Sequence, residues 1–110
     1  MKMAERVTYD DFQEKVIAFS GLALVDFYSD SCVPCKRMSP ILAALEERYP
    51  EELYIAKVNV AYEKKLVEEY QIRSTPTFLL FKDGEIADRF SGIRKKEDLE
   101  KVIEANRDAK

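Results

Sequence analysis

The only two cysteines of this 110-residue chain are Cys32 and Cys35, which form a Cys-x-x-Cys motif. Two thiols at this spacing can be oxidised to a disulfide and reduced again, so the pair could exchange electrons with other thiols. The chain contains no histidine, which excludes Cys–His nucleophilic catalysis and every metal site that needs an imidazole. These residue types therefore point to a reversible dithiol/disulfide pair.

An apolar run precedes the motif and a helical pattern follows it. The run Leu22–Tyr28 is too apolar for a half-exposed strand, so it predicts a buried central strand. After the motif, apolar residues recur at steps of three and four, which predicts a helix from about Cys32 to Tyr49 with Pro40 inside it. A thiol at the start of this helix would face unpaired backbone N–H groups and the positive end of the helix dipole. Both effects, together with the nearby charge of Lys36, favour the reactive thiolate.

The rest of the chain alternates between predicted strands and helices. A short strand near Val7 precedes a helix, and the later elements are a strand Leu53–Val60, a helix Glu63–Tyr70, a hairpin of Thr77–Phe81 and Glu85–Phe90, and a helix Lys95–Ala105. This order predicts a single α/β domain over residues 1–110, with a central, mixed, mostly parallel five-stranded sheet and helices on both faces. We expect the hairpin to add one antiparallel strand at the edge of the sheet.

The composition is that of a globular domain and argues against several functions. The chain is 46% hydrophobic and 35% charged with a net charge of −3, so nothing in it indicates a nucleic-acid partner. Its apolar runs are too short for a membrane span, and the N-terminus lacks the apolar core of a secretory signal. Two cysteines in one motif do not make a secreted disulfide framework, so we expect a cytoplasmic protein.

Taken together, these motifs resemble the thioredoxin family. The resemblance covers nearly the whole chain and rests on Val25-Asp26-Phe27, Cys32-Val33-Pro34-Cys35-Lys36, Pro40, Thr75-Pro76-Thr77, Phe81-Lys82-Asp83-Gly84 and Gly92. It implies the thioredoxin fold and a thiol–disulfide oxidoreductase that reduces protein disulfides without a bound cofactor. It also implies partners: disulfide-containing protein substrates and an electron donor of the thioredoxin-reductase type. A monomer that acts in electron transport and cell redox homeostasis is the corresponding expectation.

The resemblance further implies a role for each matching residue. Cys32 would be the exposed attacking thiol, and Cys35 would be the resolving thiol. Asp26 would be a buried carboxylate that exchanges a proton with Cys35, with Lys57 beside it. Pro76 would be a cis proline facing the cysteines. The groove that holds a substrate chain would be lined by Val33, Pro34, Thr75, Pro76, Gly92 and Ile93.

Simpler interpretations of these residues stay open. The cysteines could form an inert disulfide or half of a zinc site shared between two chains, because a closed zinc site needs four ligands. Asp26 could lie at a strand end with its carboxylate in water, and Lys57 could be an ordinary solvated side chain. Pro76 could be an ordinary edge-strand proline, and Gly92 and Ile93 could form a plain turn before the last helix.

Three departures from the family pattern alter the substrate-facing rim. Ser31 stands where a tryptophan usually precedes the first cysteine, Tyr28 stands where a second tryptophan is common, and Val33 replaces a usual glycine. The departures leave two alternative functions in view. One is a thioredoxin-like binding module whose thiols turn over little, and the other is a disulfide donor or isomerase with a less negative reduction potential.

Overall fold

The computed structural model describes residues 4–107, and its elements follow the predicted order. The strands are β1 (Glu5–Arg6), β2 (Leu22–Tyr28), β3 (Leu53–Asn59), β4 (Thr77–Lys82) and β5 (Glu85–Ser91). The helices are α1 (Tyr9–Phe12), which continues as a π-helical turn (Gln13–Ile17), α2 (Val33–Arg48), α3 (Lys64–Glu69) and α4 (Lys96–Asn106). The predicted strands and helices are therefore present, with ends that differ by a few residues.

The five strands form one mixed sheet in the order β1-β3-β2-β4-β5, which confirms the predicted α/β class and sheet. β3 pairs in parallel with β1 and β2, whereas β4 pairs antiparallel with β2 and β5. The expected position of the antiparallel strand was wrong, because β4 lies inside the sheet and not at its edge. The cause is the length of α3, whose six residues span only about 9 Å. That is too short to carry the chain back along a strand of roughly 20 Å, so β4 begins where β3 ends.

Helices cover both faces of the sheet, and the side chains of β2 alternate between them. One face packs Ala23, Val25 and Phe27 against α1 and α3, and the other packs Leu22 and Leu24 against α2 and α4. All seven residues of β2 are buried as a result. Asp26 shares the face of Leu22 and Leu24, so its carboxyl group lies on the side of α2. No helix in the described part of the chain has the length and apolar character that crossing a bilayer requires.

The motif lies at one end of the sheet, here called the motif end, where four strand ends meet. Tyr28 at the end of β2 is in register with Asn59 at the end of β3. On the other side of β2, Phe27 pairs with Thr77 at the start of β4, and Thr77 pairs with Ser91 at the end of β5. The loop after β2, the loop before β4 and the loop after β5 are therefore neighbours. Ligand sites of open α/β sheets lie at such an end.

Candidate active site

Cys32 and Cys35 lie at the N-terminal end of α2 and are joined as a disulfide, with their Cα atoms 5.2 Å apart. Cys32 is the N-cap residue, and its Sγ accepts a hydrogen bond from the backbone N–H of Cys35 at 3.1 Å. Pro34 is tolerated in the first turn because backbone N–H groups at that position make no hydrogen bond within the helix. The missing N–H of proline therefore removes no hydrogen bond. The Cys35 N–H and the positive end of the helix dipole thus both face Cys32 Sγ, a position that favours negative charge.

The two cysteines are almost equally buried, with 8% of Cys32 and 7% of Cys35 exposed. The prediction that Cys32 is an exposed thiol was therefore wrong for this disulfide form. The bond holds the two sulfur atoms together, and Tyr28 forms one buried cluster with the two residues. The surroundings distinguish the two cysteines instead, because Cys35 lines a cleft that also contains Asp26, and Cys32 is not among the residues lining it.

Asp26 is a buried carboxyl group, with only 2% of the residue exposed. Within residues 4–107, its Oδ1 atom has no hydrogen-bond partner. Burial raises the pKa of Asp26 to about 6, because desolvation disfavours the carboxylate, and the positive charge of Lys57 opposes this with a smaller effect. The alternative in which Asp26 lies at a strand end in water is therefore wrong.

A cleft of about 150 Å³ connects Asp26 with Cys35 and Lys57. Lys57 is in register with Asp26 on the neighbouring strand β3. Its Nζ lies 4.8 Å from the centroid of the Tyr28 ring, within the range of a cation–π interaction. Tyr28 thus belongs to the buried cluster of the cysteines and also contacts the lysine. In the sequence, Tyr28 stands out only as a departure from the family pattern, although its place at the end of the strand leading to the motif indicates that it lies near the cysteines.

The loops that carry Pro76 and Gly92 are hydrogen-bonded to each other at the motif end. The Thr75–Pro76 peptide bond is cis, as expected, and the carbonyl of Pro76 accepts the N–H of Gly92 at 2.9 Å. Thr75 is partly exposed and Pro76 is buried. Val33, at 59%, and Ile93, at 47%, are exposed apolar side chains at this end. The structure therefore brings every residue of the predicted groove to the end of the sheet that holds the disulfide.

Two long-range contacts that no sequence pattern indicates hold these loops. Arg89 of β5 donates hydrogen bonds to the carbonyls of Tyr70 and Gln71, at 2.6 and 2.8 Å, which fixes the chain that leads to Pro76. The backbone N–H of Arg94 lies 3.5 Å from Sδ of Met38, which ties the chain after Gly92 to α2.

The arrangement is suited to thiol–disulfide exchange. It combines a dithiol/disulfide pair at a helix N-terminus with a carboxyl group in the same cleft whose pKa lies near neutrality. Within residues 4–107, no group of three or more His, Cys, Asp or Glu side chains is placed to hold a metal ion.

Comparison with known proteins agrees with this chemistry. A model of the thioredoxin family matches residues 3–105. Thioredoxin of Chlamydia trachomatis serovar D is 37% identical over 101 residues, which cover 92% of this chain and 96% of that protein. Thioredoxin of Staphylococcus epidermidis is 37% identical over 99 residues, which cover 90% and 93%, respectively. Chloroplastic thioredoxin Y1 of Arabidopsis thaliana is 36% identical over 89 residues, which cover 81% of this chain and 52% of that protein. The chain belongs to the thioredoxin family, and its Cys32–Cys35 pair makes it a protein-disulfide oxidoreductase.

Proposed function

We propose that the protein reduces disulfides of other proteins, with Cys32 as the attacking thiol and Cys35 as the resolving thiol. The observation that carries this assignment is the difference between their surroundings. Cys32 Sγ accepts the N–H of Cys35 at the helix start, which favours a thiolate at Cys32. Cys35 instead lines the cleft of Asp26, which offers its thiol a proton acceptor.

The reaction then proceeds in two exchanges. The Cys32 thiolate attacks one sulfur of the substrate disulfide, that bond breaks, and the other substrate sulfur leaves as a thiolate that takes up a proton. Cys35 next loses its proton and attacks Cys32 Sγ, so the mixed disulfide breaks and the second substrate thiol is released. Two electrons pass from the dithiol to the substrate, and the Cys32–Cys35 disulfide remains.

Asp26 is proposed to take the proton of Cys35. A general base works best when its pKa lies near the working pH, and burial raises the pKa of Asp26 to about 6. At neutral pH most of the protein would thus hold a carboxylate that can accept this proton. Lys57, in register with Asp26 and lining the same cleft, would limit the energetic cost of that buried charge.

The substrate chain is proposed to lie across the motif end. Its contacts would come from Val33, Pro34, Thr75, Pro76, Gly92 and Ile93. The exposed apolar surface of Val33 and Ile93 supports this placement, because exposed apolar side chains beside a reactive group favour binding of another chain. The hydrogen bond between Gly92 and Pro76 supports a groove with a fixed shape.

Thioredoxins act on disulfide substrates and receive electrons from a reductase. We infer that a donor of the thioredoxin-reductase type restores the dithiol here, and that residues 1–110 act as one monomeric domain in electron transport and cell redox homeostasis. The cytoplasm is the proposed compartment, because a reversible dithiol needs a reducing environment. The Arabidopsis relative is described as chloroplastic, which is a statement about that protein.

Single-cysteine variants test the assignment of the two thiols. Cys35→Ser should accumulate mixed disulfides with a disulfide-containing protein, because the resolving step is lost, whereas Cys32→Ser should accumulate few. Non-reducing gels of both variants after incubation with the same substrate provide the measurement. Equal amounts of adduct from the two variants would contradict the assignment.

Turnover and reduction potential separate the proposal from its alternatives. A binding module would give no reduction of insulin disulfides above the rate of free thiol. A disulfide donor or isomerase would have a potential close to −120 to −180 mV, whereas a reductant should lie near −270 mV, all as approximate values. Equilibration of the protein with glutathione or with a second dithiol buffer measures this potential.

A further inference from the structure

Six cationic side chains surround the disulfide, and we call them the basic rim. They lie in the three segments that meet at the motif end, residues 29–37, 71–76 and 91–96, and are Lys36, Arg37, Arg73, Arg94, Lys95 and Lys96. All six residues are exposed, and these three segments contain one carboxylate, that of Asp30; the loop after β3 adds Glu63, and the first turn of α4 adds Glu97 and Asp98. The three segments therefore carry a net positive charge, whereas the whole chain has a net charge of −3.

Contacts with the groove and the cleft fix the position of this rim. Lys36 lines the cleft that contains Cys35. The backbone N–H of Arg94 lies 3.5 Å from Sδ of Met38, which stands one helical turn after Cys35. Arg73 precedes Pro76 by three residues, in the loop whose Pro76 carbonyl accepts the N–H of Gly92. The cations therefore come from both sides of the proposed groove.

The rim cations have no carboxylate partner among the described residues. Within residues 4–107, none of the six forms an ion pair, although Arg94 lies over the ring of Phe90 at 5.7 Å. Elsewhere on the surface, Lys15, Arg48 and Arg107 each contact at least one glutamate. The rim thus keeps its charge available to a partner.

Helix stability does not explain the rim. Lys36 lies in the first turn of α2, which contains no acidic residue, and Lys95 is an N-cap that makes no side-chain capping hydrogen bond. Cations at a helix N-terminus oppose the helix dipole and are locally unfavourable. In α4, the acidic residues Glu97 and Asp98 of the first turn interact favourably with the helix dipole and so offset part of this unfavourable effect.

We propose that the basic rim selects protein disulfides that are flanked by aspartate and glutamate. This inference rests on the proposed function, since it specifies the substrate class of the same site. Exposed charges attract opposite charges over about 8–10 Å at physiological salt and steer association. The apolar side chains of Val33 and Ile93 carry no charge preference, so selection falls to the rim around them.

Three disulfide-bonded peptides test this proposal. They share one sequence apart from the residues flanking the disulfide, which are aspartate in one, serine in the second and lysine in the third. We expect wild-type protein to show a kcat/KM at least about 10-fold higher for the aspartate peptide than for the lysine peptide at low salt. At about 1 M NaCl, where charges are screened beyond about 3 Å, the two values should agree within roughly 2-fold.

Charge-reversal variants locate the origin of the preference. Lys95→Glu should lower the aspartate-to-lysine ratio by roughly 3-fold, and Arg73→Glu with Lys95→Glu should abolish or invert it. Lys101→Glu is the matched control, because it makes the same charge change at an exposed position about 9 Å further along the chain of α4. When the variants are compared at about 0.15 M salt, where the screening length of about 8 Å is shorter than this separation, the control should retain the wild-type ratio within roughly 2-fold. Each rate is divided by the rate of the same variant on the serine peptide, which corrects for any loss of folded protein.

The serine peptide separates the two proposals. If wild-type protein does not reduce it above the rate of free thiol, the proposed function fails and the selection proposal fails with it. If it is reduced but the aspartate and lysine peptides have equal kcat/KM, only the selection proposal is overturned. A preference that persists in the double variant, or that Lys101→Glu abolishes equally, would also overturn the rim as its source.

Discussion

The buried polar groups at the two ends of α2 differ in whether they have a hydrogen-bond partner. At the N-terminal end, Asp26 is buried in the cleft of Cys35, and its Oδ1 lacks a hydrogen-bond partner within residues 4–107. At the C-terminal end, the buried side chain of Tyr49 donates its hydroxyl to Glu104 at 2.8 Å. Arg48 contacts the same glutamate, at 3.2 Å. One end thus leaves a buried oxygen unpaired, and the other supplies its buried hydroxyl with an acceptor.

This difference shows where the fold tolerates a buried polar atom that lacks a hydrogen-bond partner. Among the buried side-chain polar atoms of residues 4–107, Asp26 Oδ1 is the only one without a partner. A buried unpaired oxygen costs stability, so its presence next to Cys35 is expected if the carboxyl group takes part in proton transfer. At the distant end of α2, the hydroxyl of Tyr49 and the guanidinium of Arg48 both have Glu104 as a partner.

Replacing Asp26 with asparagine should give the largest effect on stability. The pKa of Asp26 is raised to about 6 from an unfolded value of about 3.9, so the folded state holds a proton that the unfolded state has released between these pH values. Stability therefore falls as pH rises through this window, and the cost is complete at pH 7. Asp26→Asn should remove it and raise the free energy of unfolding by roughly 1–3 kcal/mol at pH 7. Urea unfolding at about pH 7 and about pH 4 measures the difference, which should nearly vanish in acid.

The same variant should also be a poorer catalyst. If Asp26 accepts the proton of Cys35, insulin reduction at neutral pH should slow by roughly 10-fold or more in Asp26→Asn. A variant that is no more stable than wild type at neutral pH would remove the physical basis of the contrast between the two ends of α2. A more stable variant with unchanged exchange rates would leave the burial of Asp26 intact but remove its catalytic role.

Much of this site could be predicted because its signals are local. The apolar run around Asp26 and the helical pattern after Cys35 place a carboxyl group and two thiols on adjacent elements. Whether Asp26 was buried could not be decided from the strand alone, because it depends on α2 covering that face of the sheet. The orientation of β4 was mispredicted for a related reason, since it follows from the short α3 and not from any pattern within β4.

Contacts between residues distant in the chain were not predictable. The Tyr28–Lys57 contact and the hydrogen bonds of Arg89 to Tyr70 and Gln71 join residues 29, 19 and 18 positions apart. Lysine and arginine at such positions look like ordinary solvated side chains, because periodicity reports burial and not partners. Their roles depend on the register of the sheet, which only the assembled fold fixes.

Removing the hydroxyl of Tyr49 should have a smaller effect, at the other end of α2. Tyr49→Phe keeps the buried ring but loses the hydrogen bond to Glu104, so the free energy of unfolding should fall by about 1 kcal/mol. Urea unfolding at pH 7 gives this value, and insulin reduction should stay at the wild-type rate. A loss of activity without a loss of stability would contradict the separation of the two ends.

The smallest effect is expected for Glu104→Gln, and its pH dependence should be opposite in sign to that of Asp26→Asn. The hydroxyl of Tyr49 and the charges of Arg107 and Arg48 hold the pKa of Glu104 below its ordinary value. A lowered pKa contributes stability that is present above the unfolded pKa of about 4.3 and is lost as pH falls through the folded pKa.

Glu104→Gln should therefore lower the urea midpoint slightly at neutral pH and leave it unchanged in strong acid, whereas Asp26→Asn should raise the midpoint at neutral pH. Because Glu104 lies at the surface, added salt should reduce its effect, and the buried Asp26 should respond little. Measuring both carboxylate-to-amide variants across the same pH series, with and without salt, makes each the control for the other. If both variants shifted the urea midpoint in the same direction at neutral pH, the fold would not stabilise one carboxylate while destabilising the other, and the contrast between the two ends of α2 would be wrong.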